Sequence, residues 1–126
     1  MQKIYIASRW QSQQRLREVC DRLVGVVEVT SRWIHVDRPE DPTAEFFKTH
    51  GLPRAEADIQ DIKRADLLVL DLLDGRGRRG GMMFEAGLAH GLGKPVIVVG
   101  DPDCVFTQLF TAYPNWYVLI GYLRGE

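Results

Sequence analysis

The sequence has few of the features that mark membrane, secreted or nucleic-acid-binding proteins. Only two cysteines are present, Cys20 and Cys104, so a disulfide scaffold is excluded. No apolar run reaches the ~18 residues that a membrane helix needs. The net charge of −1 gives no basic field for a polyanion. We therefore expect no membrane and no nucleic-acid polymer as partner. A reducing, cytoplasmic setting suits the cysteines best, and one disulfide is the alternative.

The chain nevertheless contains enough apolar residues to form a core. Its 126 residues, 45% of them hydrophobic, predict a single domain over residues 1–126. The first residues carry no signal-peptide pattern and enter a predicted strand at once. The histidines are too scattered to indicate a metal site, and we expect neither a metal nor a cofactor; they are His35, His50 and His90.

Apolar runs alternate with amphipathic stretches, which predicts an α/β fold with a five-stranded, mostly parallel sheet. The predicted strands are Lys3–Ala7, a segment within Val26–Val36, Asp66–Leu72, Pro95–Gly100 and Trp116–Ile120. The predicted helices are Gln11–Val24, Arg54–Ala65 and Gly81–Leu92. Two long connections remain: Asp37–Pro53, with a short helical piece around Thr43–Lys48, and Asp101–Asn115.

Glu85 is the most unusual polar residue of the chain. It lies in a helix start made of glycine, alanine and large apolar residues, Gly80-Gly81-Met82-Met83-Phe84-Glu85-Ala86-Gly87. A carboxylate in such surroundings is costly unless it has a partner or a chemical role. The small neighbours would let a substrate come close, so we expect Glu85 to be the reactive group.

Further polar residues follow the predicted strands, at the edge where parallel sheets bind ligands. Ser8, Arg9 and Trp10 follow the first strand, and the helix after them could hold an anion at its N-terminus. Asp58 lies on the helix before the third strand. Taken alone, Asp58 fits an ordinary surface position better than a site.

The segment Gly75-Arg76-Gly77-Arg78-Arg79-Gly80 matches the glycine pattern of dinucleotide-binding proteins. That pattern belongs after the first strand of the fold, whereas this match lies past mid-chain. A solvated turn is one alternative. A basic loop at the mouth of a substrate cleft is the other, and we favour it.

These elements together resemble the nucleoside 2-deoxyribosyltransferase family and its relatives that hydrolyse deoxynucleoside monophosphates. The resemblance covers most of residues 3–100, in the right order. The matching segments are Lys3-Ile4-Tyr5-Ile6-Ala7-Ser8, the Asp58 to Asp66 helix, the glutamate helix through Ala89, and Gly93-Lys94-Pro95-Val96. The resemblance implies a flavodoxin-like three-layer α/β sandwich.

The resemblance also implies roles for individual residues. Glu85 matches a nucleophile that attacks the anomeric carbon, and Asp58 matches an aspartate that assists proton transfer to the departing base. Tyr5 matches a tyrosine that orients the nucleophilic carboxylate. Family members are commonly dimers or larger, and a neighbour's C-terminal loop completes each site; Asn115 could supply that residue. Together with Ser8, Arg9 and Trp10, Gly81 and Met82 are the expected substrate-binding residues.

One position departs from the family pattern. Transferases acting on free nucleosides carry an additional aspartate six residues before the nucleophile, where this chain has Arg79. This difference argues against classical base exchange on free nucleosides. The arginine-containing loops and Ser8-Arg9 point instead to a phosphate-bearing substrate. We expect cleavage of the N-glycosidic bond of a deoxynucleoside or its 5′-monophosphate, by hydrolysis or by transfer. A non-catalytic nucleotide-binding module and an NAD glycohydrolase are the alternatives.

Overall fold

The computed structural model describes residues 1–75, 77 and 79–126. Its strands are β1 (Lys3–Ala7), β2 (Glu28–Val29), β3 (Leu67–Asp71), β4 (Val96–Val99) and β5 (Thr111–Tyr113). Its α-helices are α1 (Gln13–Leu23), α2 (Ala44–Arg64), α3 (Gly80–Gly91) and α4 (Trp116–Leu123). Arg76 and Arg78, which belong to the predicted basic loop, lie outside the described residues.

The five strands form one sheet in the order β2-β1-β3-β4-β5, and each neighbouring pair is parallel. β3 is buried along its whole length, as its uninterrupted leucine and valine run predicts. The predicted flavodoxin-like α/β fold is therefore confirmed, and the sheet is parallel throughout rather than mostly parallel.

Side chains of the central strands alternate between two helical layers. Ile4 and Ile6 pack with α1 and α4, where Leu16 and Trp116 are buried. Tyr5 and the rest of the opposite face pack with α2 and α3, in a second core cluster that includes Ile62, Met82 and Ala86. The helices on the Tyr5 face therefore carry Asp58 and Glu85, and this face forms the floor of the site.

The last element differs from its prediction. The segment Trp116–Ile120 was expected to be a strand, but it begins helix α4, and the edge strand is β5 instead. The Asn115 side chain caps this helix by accepting a hydrogen bond from the Val118 N–H. Its buried residues follow helical spacing and are Trp116, Leu119 and Ile120. A short apolar run does not by itself distinguish a strand from a helix.

The connection between β2 and α2 also differs from its prediction. Most of Asp37–Pro53 was expected to be a loop, but α2 begins at Ala44 and continues through Pro53. Thr43 caps it, because its side chain accepts a hydrogen bond from the Phe46 N–H. Proline removes a single hydrogen bond from the helix ladder, and the long helix continues past this local loss.

The second predicted strand is shorter than expected. Only Glu28–Val29 pair with β1, while Trp33 and Ile34 belong to a short 3-10 helix over Arg32–His35. The Trp33 Nε1–H donates to the Ile6 carbonyl, which fixes the indole at the end of β1.

Both cysteines are free thiols, so the alternative of a disulfide is wrong.

Candidate active site

A cavity of about 1120 Å³ opens beyond the carboxyl end of β1 and the start of α3. Residues of both elements, of the connection after β2 and of α2 line it. The predicted residues among them are Ser8, Arg9, Trp10, Asp58, Gly81, Met82 and Glu85. Ligand pockets commonly measure roughly 300–1,000 Å³, so this cavity is large enough for a nucleotide.

Glu85 and Tyr5 are joined directly. Although they are 80 residues apart in the sequence, the Tyr5 hydroxyl donates a hydrogen bond to a Glu85 carboxylate oxygen. Tyr5 is completely buried in the central strand β1, so its hydroxyl has a fixed position. The carboxylate of Glu85 is therefore held in one orientation at the edge of the cavity.

The pKa of Glu85 is raised from 4.5 to about 8, chiefly because the side chain is buried. The Tyr5 hydrogen bond opposes this shift and lowers the pKa, whereas the nearby charge of Asp58 raises it further. Burial, reinforced by the charges of Glu85 and Asp58, also raises the pKa of the Tyr5 hydroxyl far above its usual value. Tyr5 is therefore a permanent hydrogen-bond donor at neutral pH.

Asp58 is a second carboxyl group beside Glu85. Its pKa is raised from 3.8 to about 6, first by burial and then by the charge of Asp61, while Arg54 and Arg32 oppose the shift. Between pH 6 and pH 8 the two carboxyl groups together therefore hold about one proton. A pair of acids sharing one proton can supply a carboxylate and a proton donor at the same time.

Arg9 is held at the cavity by the loop after β3. Its NH1 group donates to the Asp74 carbonyl at 3.1 Å, and a Cβ added to Gly77 would come within 2.9 Å of its guanidinium carbon. The Arg9 Nε is buried and has no hydrogen-bond partner among the described residues. Gly77 therefore lies against the Arg9 guanidinium, whereas the expected place of the basic residues of this loop at the mouth of the cavity stays a prediction.

Trp10 and Trp33 form an aromatic wall, with ring centroids 6.1 Å apart. The guanidinium carbon of Arg38 lies 4.0 Å from the centre of the Trp10 ring and 5.9 Å from that of Phe47. Cation–π contacts of this kind hold a guanidinium plane against an aromatic face. The cavity therefore has an aromatic side as well as an acidic floor.

The start of α3 leaves space for a ligand. A Cβ added to Gly81 would meet no protein atom within 4 Å, so the room in front of the backbone is open. Met82 is almost fully buried beneath it and supports the second core cluster. The first N–H groups of α3, at Gly80 and Gly81, carry the positive end of the helix dipole beside the cavity.

Two predicted positions lie apart from the cavity lining. Arg79 forms an ion pair with Asp103 at 2.5 Å, and both side chains are largely buried. Asn115 is exposed and caps α4 without lining the cavity of its own chain. Its expected role in a neighbour's site therefore stays a prediction.

Three arginines of the lining, Arg32, Arg38 and Arg54, were not predicted from the sequence. Arg54 lies one helical turn before Asp58, and the helix predicted over Arg54–Ala65 already contained both residues, so this spacing could have placed Arg54 beside the acid. Arg38 lies in the irregular connection before α2, where no sequence periodicity indicates which way a side chain points. Within residues 1–75, 77 and 79–126, no cluster of three metal-ligating side chains occurs and no helix is suited to span a membrane.

Comparison with known proteins agrees with the fold and gives the family. A family model described as nucleoside 2-deoxyribosyltransferase matches residues 4–108. The 2-deoxyribosyltransferase of Bacillus psychrosaccharolyticus superposes with a TM-score of 0.70 at 21% identity, covering 95% of this chain and 91% of that one. The CMP N-glycosidase BcmB of Clostridium botulinum superposes with a TM-score of 0.61 at 14% identity, covering 99% of this chain and 100% of that one. No curated protein sequence matches significantly.

Proposed function

This chain belongs to the nucleoside 2-deoxyribosyltransferase family of enzymes, and from that premise we propose that it cleaves the N-glycosidic bond of a deoxynucleoside or deoxynucleoside 5′-monophosphate. The hydrogen-bonded Tyr5–Glu85 pair beside Asp58 is the observation that carries the proposal. A buried, oriented carboxylate next to a second acid fits displacement at an anomeric carbon.

In the first step a Glu85 carboxylate oxygen forms a bond to C1′ of the sugar. The C1′–N bond breaks, and its electron pair remains on the leaving base. Asp58 gives its proton to that base, so the base departs neutral. Positive charge on the sugar in the transition state favours the ionised form of Glu85, which directs the shared proton to Asp58.

In the second step a water molecule attacks C1′ from the side that the base has left. The bond between C1′ and Glu85 breaks, and the carboxylate recovers its electron pair. The proton of the water passes to the Asp58 carboxylate, so that the carboxyl pair again holds one proton, which the higher pKa of Glu85 returns to that residue at rest. A second base attacking in place of water would give transfer instead of hydrolysis.

Arg9 supports a phosphate-bearing substrate. Its buried Nε lacks a hydrogen-bond partner among the described residues, and guanidinium groups bind phosphate oxygens in paired hydrogen bonds. The N–H groups at the start of α3 would add an anion-binding end to the same side of the cavity. The hydroxyl of Ser8, which precedes Arg9 in the chain, donates to the Asp71 carbonyl at 3.0 Å and so joins the segment after β1 to the end of β3.

We extend the proposal to assembly and location. Exposed apolar side chains near the end of the chain, including Phe106, Leu109 and Tyr117, fit a contact between copies of the chain. Such a contact in a homodimer or larger oligomer would bring Asn115 toward a neighbouring cavity. The free thiols Cys20 and Cys104 fit a reducing cytoplasm.

Glu85→Gln tests the proposed function. The variant keeps the size of the side chain and an acceptor for Tyr5, but it has no anionic nucleophile, so base release should fall by about 10³-fold or more. Release from deoxynucleosides and their 5′-monophosphates is followed by chromatography, with and without an acceptor base. Glu56→Gln, an exposed position on α2, is the matched control. Unchanged turnover in Glu85→Gln would refute the role of Glu85 as the nucleophile. If NAD were the one substrate cleaved, with release of nicotinamide, the result would favour an NAD glycohydrolase.

A further inference from the structure

One end of the cavity holds two arginines beside Asp58. Arg54 is on α2, one turn before Asp58, and its charge lowers the pKa of Arg38 in addition to the effect of burial. Arg38 and Arg54 both line the cavity. The charge of Arg54 acts on both Arg38 and Asp58, and all three residues line the same cavity, so Arg54 joins Arg38 to the side where Asp58 would meet the leaving base.

Among the residues that the structure describes, aromatic rings rather than ion-pair partners hold the two guanidinium groups. Arg38 stacks on Trp10, and the guanidinium carbon of Arg54 lies 5.6 Å from the centre of the Phe46 ring. The NH2 group of Arg54 makes a long hydrogen bond of 3.4 Å to the Asp37 carbonyl. The buried Nε of Arg38 has no hydrogen-bond partner in the part of the chain that the structure describes. Both side chains therefore keep donors for a ligand.

The two guanidinium groups can only donate hydrogen bonds to a base, because each has five N–H donors and no acceptor. A protonated Asp58 carboxyl group would add one O–H donor beside them. Purines with an oxygen at position 6 present two adjacent acceptors, O6 and N7, whereas 6-aminopurines replace the first with an N–H donor. Two carboxylates that also line the cavity, Glu40 and Asp41, are exposed to solvent.

We propose that Arg38 and Arg54 form the base-recognition subsite and select 6-oxopurine leaving bases over 6-aminopurines. The base would stack beside Trp10, with its acceptor edge toward the two guanidinium groups and Asp58. The inference rests on the proposed function in one respect, since it takes Asp58 as the acid that faces the base.

The test compares two substrates that differ only at position 6, the deoxynucleoside 5′-monophosphates of hypoxanthine and adenine. The 6-amino group of adenine is a donor and cannot accept from the guanidinium groups, so one arginine N–H would stay unpaired. The value of kcat/KM should therefore favour the hypoxanthine nucleotide on the order of 10-fold or more. Arg38→Met and Arg54→Met should reduce this preference to within about threefold, mainly through KM. The lysine variants keep the charge but lose the forked donors, and they should be intermediate.

Arg22→Met is the control, because Arg22 is exposed in the last turn of α1 and should leave the preference unchanged. Calorimetry with free hypoxanthine and free adenine on Glu85→Gln separates recognition from chemistry. Tighter binding of hypoxanthine without turnover of any substrate by the wild type would reject the proposed function and keep the subsite. Turnover with equal rates for both substrates, or a preference for adenine, would reject the subsite and keep the function. Absence of both turnover and selective binding would reject both.

Discussion

Asp61 and Asp71 are buried more deeply than Glu85 and Asp58. The larger difference between the two pairs lies in the hydrogen-bond donors that surround each carboxyl group. The Asp71 side chain is completely buried and accepts hydrogen bonds from both NH groups of Arg15, at 3.0 and 2.8 Å, and from Trp116 Nε1 at 2.6 Å. The Asp61 side chain is equally buried and accepts from Arg32, through its backbone N–H and its Nε, and from Arg64.

In the described part of the chain, neither Glu85 nor Asp58 accepts a hydrogen bond from a charged side chain, although the charges of Arg54 and Arg32 act on Asp58. Among the described contacts, the Glu85 carboxylate accepts a hydrogen bond from an uncharged hydroxyl, that of Tyr5. The charges nearest to it include another carboxyl group, and burial raises the pKa of both. Carboxylates that hold elements together are thus saturated with donors, whereas the pair at the cavity is left able to gain and lose protons.

Asp71→Ala should produce the largest effect on stability. The substitution leaves the Arg15 charge and the Trp116 N–H without their buried acceptor, so the free energy of unfolding should fall by about 3–5 kcal/mol. Urea denaturation followed by circular dichroism measures it. Asp37→Ala is the control, because the Asp37 partner of Arg17 is 95% exposed; it should cost less than about 1 kcal/mol. Similar losses in the two variants would remove the distinction drawn between saturated and exposed pairs.

Glu85→Gln should have the opposite effect on stability. The folded protein holds the Glu85 proton up to about pH 8, whereas the unfolded chain loses it near 4.5, so ionisation of Glu85 destabilises the fold increasingly between these values. The variant should be more stable than the wild type by roughly 2–4 kcal/mol at pH 9 and equal to it at pH 4. Urea denaturation at both pH values measures the difference. A variant that is less stable at pH 9 would show that Glu85 is saturated like Asp71.

Tyr5→Phe should have the smallest of the three effects, and it acts on activity. Wild-type kcat/KM should form a bell with limbs near pH 6 and pH 8, because the carboxyl pair must hold one proton. Loss of the hydroxyl removes the hydrogen bond that lowers the pKa of Glu85, so the basic limb should move to higher pH. Activity at the optimum should fall by about 10–100-fold, because fewer molecules have an ionised, oriented Glu85.

The pH profile distinguishes this role from simple support of the core. Tyr122→Phe, at an exposed position of α4, is the control and should leave both limbs in place. A lower rate in Tyr5→Phe with an unmoved basic limb would mean that the hydroxyl does not act on the Glu85 proton.

Local sequence patterns predicted the central strands of the sheet and the unusual position of Glu85, because both are visible within a few consecutive residues. β3 is an unbroken apolar run, and Glu85 is a charge in an apolar helix start. The resemblance supplied Tyr5 and Asp58, whose individual signals are weak.

The remaining features depend on contacts between distant segments, which local patterns do not contain. The α4 segment is a short apolar run that fits a strand or a helix. It forms a helix because Asn115 caps its first turn and because Trp116 is buried against the sheet. The saturation of Asp71 depends on Arg15, 56 residues earlier in the chain. Similarly, no spacing rule connects Arg38 with Trp10, because the intervening chain includes β2 and a 3-10 helix.

The hydrogen bond between Tyr5 and Glu85 also bears on how the enzyme matures. It connects the first strand with a residue 80 positions later in the chain. The helix α2, which carries Asp58, lies between the two in the sequence. Contacts between such distant segments form late, because the chain loses much entropy when it closes the intervening loop. A chain that lacks α3 has no Glu85, the proposed nucleophile, and a chain whose β1 is not docked leaves Glu85 without the hydrogen bond from Tyr5. The proposed activity therefore requires the docking of both elements, and an incompletely folded chain would lack it.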